Sequence, residues 1–142
     1  MDSIDILLSK FPNLKIYNEK VEVDKQFYDV MKFLKYTPEL SFDMLLTIVA
    51  VDYLDYIELI YTLFSTELSE AINLSIKIEV YAESIIDIFP SAYFDECEIY
   101  DLFGVIFLGN SKIKRLLMPD SWCGHPLRKK YILNDERLSW NG

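Results

Sequence analysis

Glu96, Glu98 and Asp101 lie within six residues of one another in the segment ECEIYDLFG, among apolar and aromatic neighbours. Twenty residues on, GHPLRKKY supplies one histidine and three cations. Two carboxylates and a histidine could form an acid–base set, provided they converge on one substrate. On a helix, Glu96 and Glu98 fall about 200° apart, so they cannot flank one bond or share one proton. His125 is alone in a Gly-His-Pro turn, a setting that suits a hydrogen bond to backbone or carboxylate. A hydrolase is therefore set aside. Cys97 and Cys123 stand far apart with no CxxC spacing, so they give neither a disulfide framework nor a zinc or iron–sulfur ligand set.

The chemistry left is charge pairing. Around a wheel of 91–103, apolar residues occupy every side, so the helix is covered on most faces. Some of its carboxylates must be buried and need partners. The cations on offer in this chain are Lys112, Lys114, Arg115, Arg128, Lys129 and Lys130. Arginine is favoured because its planar fork matches a carboxylate. The expectation is that Arg115 or Arg128 folds back on Glu96 or Glu98. The alternative is an acidic surface helix with solvated charges.

The elements that must position these groups can be read from periodicity. Residues 3–11 form a short amphipathic helix with Ser3 as its cap, and 14–23 a small hairpin. Asp24 caps a helix over 25–36, with Phe27, Val30, Met31 and Leu34 inward and Pro38 beyond its end. Strands follow at 44–53, 56–64 and 73–82, joined by links short enough for an antiparallel meander. A helical turn over 84–89 precedes the acidic helix 91–103, which Gly104 ends. The fold class is α+β: an antiparallel sheet packed by helices in two layers, with an extended irregular C-terminal tail. The division is a core domain over 1–109 and a tail over 110–142.

Charge divides at the same place. Of the net −9, residues 1–109 hold 7 Lys/Arg against 20 Asp/Glu, or −13; residues 110–142 hold 7 against 3, or +4. An acidic body repels phosphate backbones, which excludes nucleic acid as the expected partner. No apolar run approaches the roughly 18 residues of a membrane span. MDSIDILLSK reads as neither a signal nor a transit peptide. The tail mixes basic residues with Leu117, Met118, Trp122, Leu127, Tyr131 and Trp140, in no helical or alternating period. Arg, Trp, Tyr and Met are enriched in interface cores. Together with His125 and Lys129, these residues are the expected partner contact. A tail wrapped on its own domain, and a monomeric binding module, are the alternatives.

Residues 96–131 resemble the signature region of the 30 kDa or C subunit (mitochondrial subunit nine) of respiratory complex I, the proton-pumping NADH:quinone oxidoreductase. The likeness rests on Glu96, Glu98, Asp101, Leu102, Gly104, Phe107, Gly109, Arg115, Leu116, the run Gly124 to Lys129, and Tyr131. TIVAVDY (47–53) resembles the family's central strand. The chain departs from the pattern at Cys97, where the family has Arg. It departs again at Asn110-Ser111, in place of a His-Pro turn, and at Lys130, in place of Asp.

The resemblance implies a non-catalytic subunit of the peripheral arm that binds no flavin, cluster or metal itself; the complex uses FMN, iron–sulfur clusters and quinone. It implies contact with the large D subunit at the quinone site, with the B and I iron–sulfur subunits nearby. Membrane association would come only through the complex. The side would be cytoplasmic in a bacterium, or the matrix if the chain is encoded in the organelle. The same motif occurs in a sister group: membrane-bound nickel–iron hydrogenases, formate hydrogenlyases and ferredoxin-driven quinone reductases.

Overall fold

The computed structural model describes residues 3–24, 26–110 and His125. Its elements in chain order are α1 (Ser3–Lys10), β1 (Lys15–Tyr17), β2 (Lys20–Val23), α2 (Phe27–Tyr36), β3 (Met44–Asp52), β4 (Ile57–Ser65), β5 (Glu70–Ile78), β6 (Tyr81–Glu83), α3 (Ala92–Phe103) and β7 (Ile106–Leu108). The main sheet runs β1-β2-β5-β4-β3, and β6 and β7 form a separate two-stranded ribbon.

The alternation in β4 explains the layering. Ile57, Leu59, Tyr61, Leu63 and Ser65 are closed from solvent, while Ile60, Thr62 and Phe64 on the other side are partly open. On the closed face the α2 stripe of Phe27, Val30, Met31 and Leu34 is at most 1% exposed. The Phe27 and Tyr61 rings lie 4.7 Å apart. Leu7 and Phe11, from α1 and the residue after it, join the same core. The helix-covered two-layer α+β fold expected from the sequence is the fold observed.

Pro38 explains where α2 stops. A residue before proline is pushed out of the helical region, and Thr37 sits at φ −77° and ψ 119°. The start differs from expectation. Gln26, not Asp24, occupies the N-cap position and makes no side-chain cap bond. β2 ends at Val23, so Asp24 lies where the chain is still turning out of the strand. Ser3 is already helical, and its hydroxyl donates across the fold to Glu70 Oε2 at 2.9 Å.

Two features of the sheet also differ. The β1–β2 hairpin joins the meander with β2 parallel to β5, so the sheet is mixed rather than antiparallel. The stretch read as one strand over 73–82 is two. It bends at Glu79–Val80, and β6 leaves to pair in parallel with β7. Ala82 keeps its inward parity but serves the ribbon.

β3 is an edge strand, and an open edge invites pairing with another chain. Here α3 packs along it. The packed helix partly screens the edge and leaves Val49 of β3 46% exposed.

Candidate functional site: the α3 corner

Ser91 precedes α3, and Gly104 ends it in the left-handed region at φ 79°, its N–H donating to Tyr100 O at 2.9 Å. Glycine reaches that conformation without the penalty of a Cβ. The helix buries some of its polar groups and exposes some of its apolar ones. Glu96, Cys97 and Asp101 are fully closed from solvent, whereas Phe94 is 65% exposed and Glu98 is exposed.

Glu96 joins three segments. Its Oε1 accepts from Ser84 Oγ at 2.7 Å and from Asn110 Nδ2 at 2.9 Å. Its Oε2 accepts from the Ile85 backbone N–H at 3.0 Å. Ser84 and Ile85 follow β6, and Asn110 follows β7, so one carboxylate ties both exits of the ribbon to α3. The Ser84 N–H bonds Leu108 O at 2.8 Å, closing the same corner from the backbone. Burial pushes the Glu96 carboxyl above the usual glutamate range, and the nearby Asp95 charge adds to this. The three hydrogen bonds pull the other way without reversing it.

Tyr61 of β4 packs against Phe27 on the closed face of the sheet. Its hydroxyl is buried and has no hydrogen-bond partner among the described residues. Burial, with the Glu96 charge second, holds it well above the ordinary tyrosine range. On α3 itself, a hydrogen bond with Cys97 raises Tyr93.

The far end of α3 receives His125. Its Nδ1 lies 2.9 Å from Asp101 O, so the tautomer with a proton on Nδ1 donates to a carbonyl of the last helical turn. The His125 ring meets Tyr100 edge-on, with centroids 5.4 Å apart. It also packs so closely on Gly104 that an added Cβ there would lie 2.7 Å from the ring's Cδ2. Gly104 is thus needed for its backbone conformation and for the space it leaves.

Of the residues singled out from the sequence, the structure brings Glu96, Asp101 and His125 to α3's covered sides and leaves Glu98 outside. Arg115, Arg128, Leu117, Met118, Trp122, Leu127, Lys129, Tyr131 and Trp140 lie outside the described residues. The described partners of Glu96 are neutral donors: a serine hydroxyl, an asparagine amide and a backbone N–H. Sequence reasoning missed Ser84 and Asn110, because it searched for cations to pair with carboxylates. The available signal was Asn110 itself, a donor standing at a departure from the family pattern.

Among the described residues no three His, Cys, Asp or Glu side chains converge as a metal site. None of the described helices is long and apolar enough to cross a membrane.

The family described as respiratory-chain NADH dehydrogenase, 30 Kd subunit, matches residues 21–137. The chain is 35% identical over 122 residues to the C subunit of the NADH-quinone oxidoreductase of Roseiflexus sp. (strain RS-1), covering 82% of this chain and 70% of that one. It is 31% identical over 121 residues to the corresponding C subunit of Saccharopolyspora erythraea, covering 80% of this chain but 49% of that longer relative. A chain in the structure of the membrane-bound sulfane sulfur reductase, an archaeal respiratory membrane complex, superposes with a TM-score of 0.70 at 27% identity. That likeness covers 83% of this chain and 75% of the other. With a match that takes in β3, β4 and β5, the α3 corner and the segment beyond it, the chain belongs to the 30 kDa subunit family of the respiratory-chain NADH dehydrogenase.

Proposed function

We propose that this chain is a non-catalytic subunit of the peripheral arm of the proton-pumping NADH:quinone oxidoreductase, bracing the large D subunit at the quinone site. Electrons pass through other subunits. The FMN and iron–sulfur clusters belong to those subunits, with the B and I subunits as the iron–sulfur neighbours, and this chain meets the membrane only through the assembly. The observation that carries the reading is the extent of the family match. It runs to residue 137, through most of the basic–apolar stretch that begins at residue 110. His125 adds support, because it ties that stretch to the end of α3. A segment with that composition and a fixed root suits an interface core more than a catalytic pocket. An obligate contact of this kind buries on the order of 2,000 Å² or more.

The test is a gentle-detergent pull-down from cells that make every subunit, comparing the full chain with one truncated after Asn110. The full chain is expected to recover the quinone-site subunit, and the truncated chain to lose it while its domain still melts cooperatively. Undiminished recovery by the truncated chain would overturn the reading.

The likeness to a chain of the archaeal sulfur reductase complex favours a second reading, in which the chain serves a related membrane-bound hydrogenase or ferredoxin-driven reductase. Co-purification of NADH-oxidising flavin subunits distinguishes the two.

A further inference from the structure

α3 presents two opposite faces. Glu96 and Tyr100 lie on one, about 160° to 200° around the helix from Glu98 on the other. The described residues beyond β7 contact other parts of α3: Asn110 bonds Glu96, and His125 bonds the Asp101 carbonyl and packs on Tyr100 and Gly104. The second face meets β3 along a groove lined by Thr47, Val49, Glu98 and Leu102. It is apolar and open, with Val49 46% exposed; Phe94, one turn before Glu98 on the same side of α3 though outside the groove's lining, is 65% exposed. Glu98 stands in this setting with no cation among the described residues, where the ion pair found joins Lys20 and Glu58. Asp95 lies near enough that, after burial, the Glu98 charge is the next cause holding its carboxyl above the usual range. The groove is thus negative as well as apolar, on a body that is itself strongly acidic.

We propose that the groove between α3 and β3 is a docking surface for a segment of another subunit that presents an Arg or Lys among apolar side chains. The cation pairs with Glu98, and its neighbours cover Val49, Leu102 and Phe94. A second copy of this chain is the wrong match, because it would bring one acidic body against another. The two described residues of the chain's own C-terminal stretch, Asn110 and His125, meet Glu96, Tyr100, Asp101 and Gly104, none of which lines the groove. The proposal rests on the assembly reading above and assigns a surface of the folded domain, distinct from the C-terminal stretch.

The experiment places a photoreactive benzoylphenylalanine at position 94 in the full chain, within the assembled complex, and separately compares the Glu98→Gln and Glu98→Arg chains. A crosslink to another subunit, at a stretch with Lys or Arg between apolar residues, is expected. Recovery of that subunit should fall several-fold with Glu98→Gln and about tenfold or more with Glu98→Arg. Both isolated variants should melt like the wild type, since position 98 is exposed. A crosslink to residues 111–142, a crosslink to a second copy, no crosslink, or normal recovery by Glu98→Arg each overturns the proposal. If the wild-type chain recovers none of the other subunits, the assembly reading falls and the docking surface with it. If the wild type assembles and Glu98→Arg assembles equally well, only the docking surface falls.

Discussion

Glu58 on the open face of the sheet and Glu96 in the α3 corner are both nearly closed from water, at 5% and 0% exposure, and the fold satisfies them in opposite ways. Glu58 has a cation: Lys20 Nζ lies 3.0 Å from its Oε2, with Ser75 Oγ donating to the same oxygen at 2.5 Å. Burial raises its pKa, but the Ser75 and Lys20 contacts outweigh that and hold it below the usual range. Glu96 has three neutral donors, and burial wins. The difference follows from position. Lys20 reaches Glu58 across an open face while keeping part of its stem in water, as lysine prefers. At the α3 corner, two chain exits arrive with hydroxyl, amide and backbone donors that would otherwise need partners themselves. One carboxylate serves all three and fixes the corner's geometry.

The comparison breaks most visibly at Glu96. Glu96→Ala removes a buried side chain and strands three donors, so a loss of about 3–5 kcal/mol is expected in urea or thermal unfolding. A loss below about 1 kcal/mol would show that the corner does not depend on this carboxylate. Gly104→Ala should cost about 1–3 kcal/mol, because it places a Cβ at positive φ and against the His125 ring. A chain ending at Asn110 should feel only the backbone part of that cost, which separates the two causes by melting.

Lys20→Met comes next, at about 1–2 kcal/mol, since Glu58 would keep Ser75 but lose its cation. An equal or larger loss than for Glu96→Ala would invert the ranking of the two sites.

A smaller effect is the pH dependence, which should have opposite sign at the two sites. Glu58 titrates below the ordinary 4.5 in the folded chain, so its contribution is present above 4.5 and is lost as pH falls through the folded value. Glu96 titrates above 4.5, so its contribution is full below 4.5 and is lost as pH rises through the folded value. The stability gap between wild type and Glu58→Gln should therefore widen with rising pH across the acid range, and the gap to Glu96→Gln should narrow. Parallel gaps would remove the contrast. Smallest of all, Glu98→Gln should change the isolated chain by no more than about 0.5 kcal/mol, because Glu98 is exposed and lacks a described cation.

Much of the architecture is legible without coordinates where burial enforces a period. The α2 stripe, the strand read over 56–64 and the span of the acidic helix all agree with the structure to within a residue or two. The opposition of Glu96 and Glu98 follows from helix geometry alone. The parallel pairing of β2 with β5 does not, because neighbours far apart in sequence leave no local trace. Nor does the departure of β6, since Ala82 continues the alternation of β5 while the strand itself bends away at Val80. The caps read at Ser3 and Asp24 failed for a related reason, while Ser91 does occupy the N-cap position of α3: Ser and Asp near a helix start are candidates, and the path into the helix decides which residue occupies the position.

From residue order alone come the helices and strands whose periods match a buried face, the glycine that ends the acidic helix, and the family likeness carried by Glu96, Glu98, Asp101 and the Gly-His-Pro run. Periodicity and motif spacing are local, and the chain writes them directly. Tertiary structure decided which donors meet Glu96, that His125 seats on Gly104, and that Glu98 faces an apolar groove. Those contacts join Ser84, Ile85, Asn110 and His125 to one helix across 11 to 24 residues of chain. Such pairings arise because a buried carboxylate takes whatever donors packing brings within reach, and packing is a property of the whole fold.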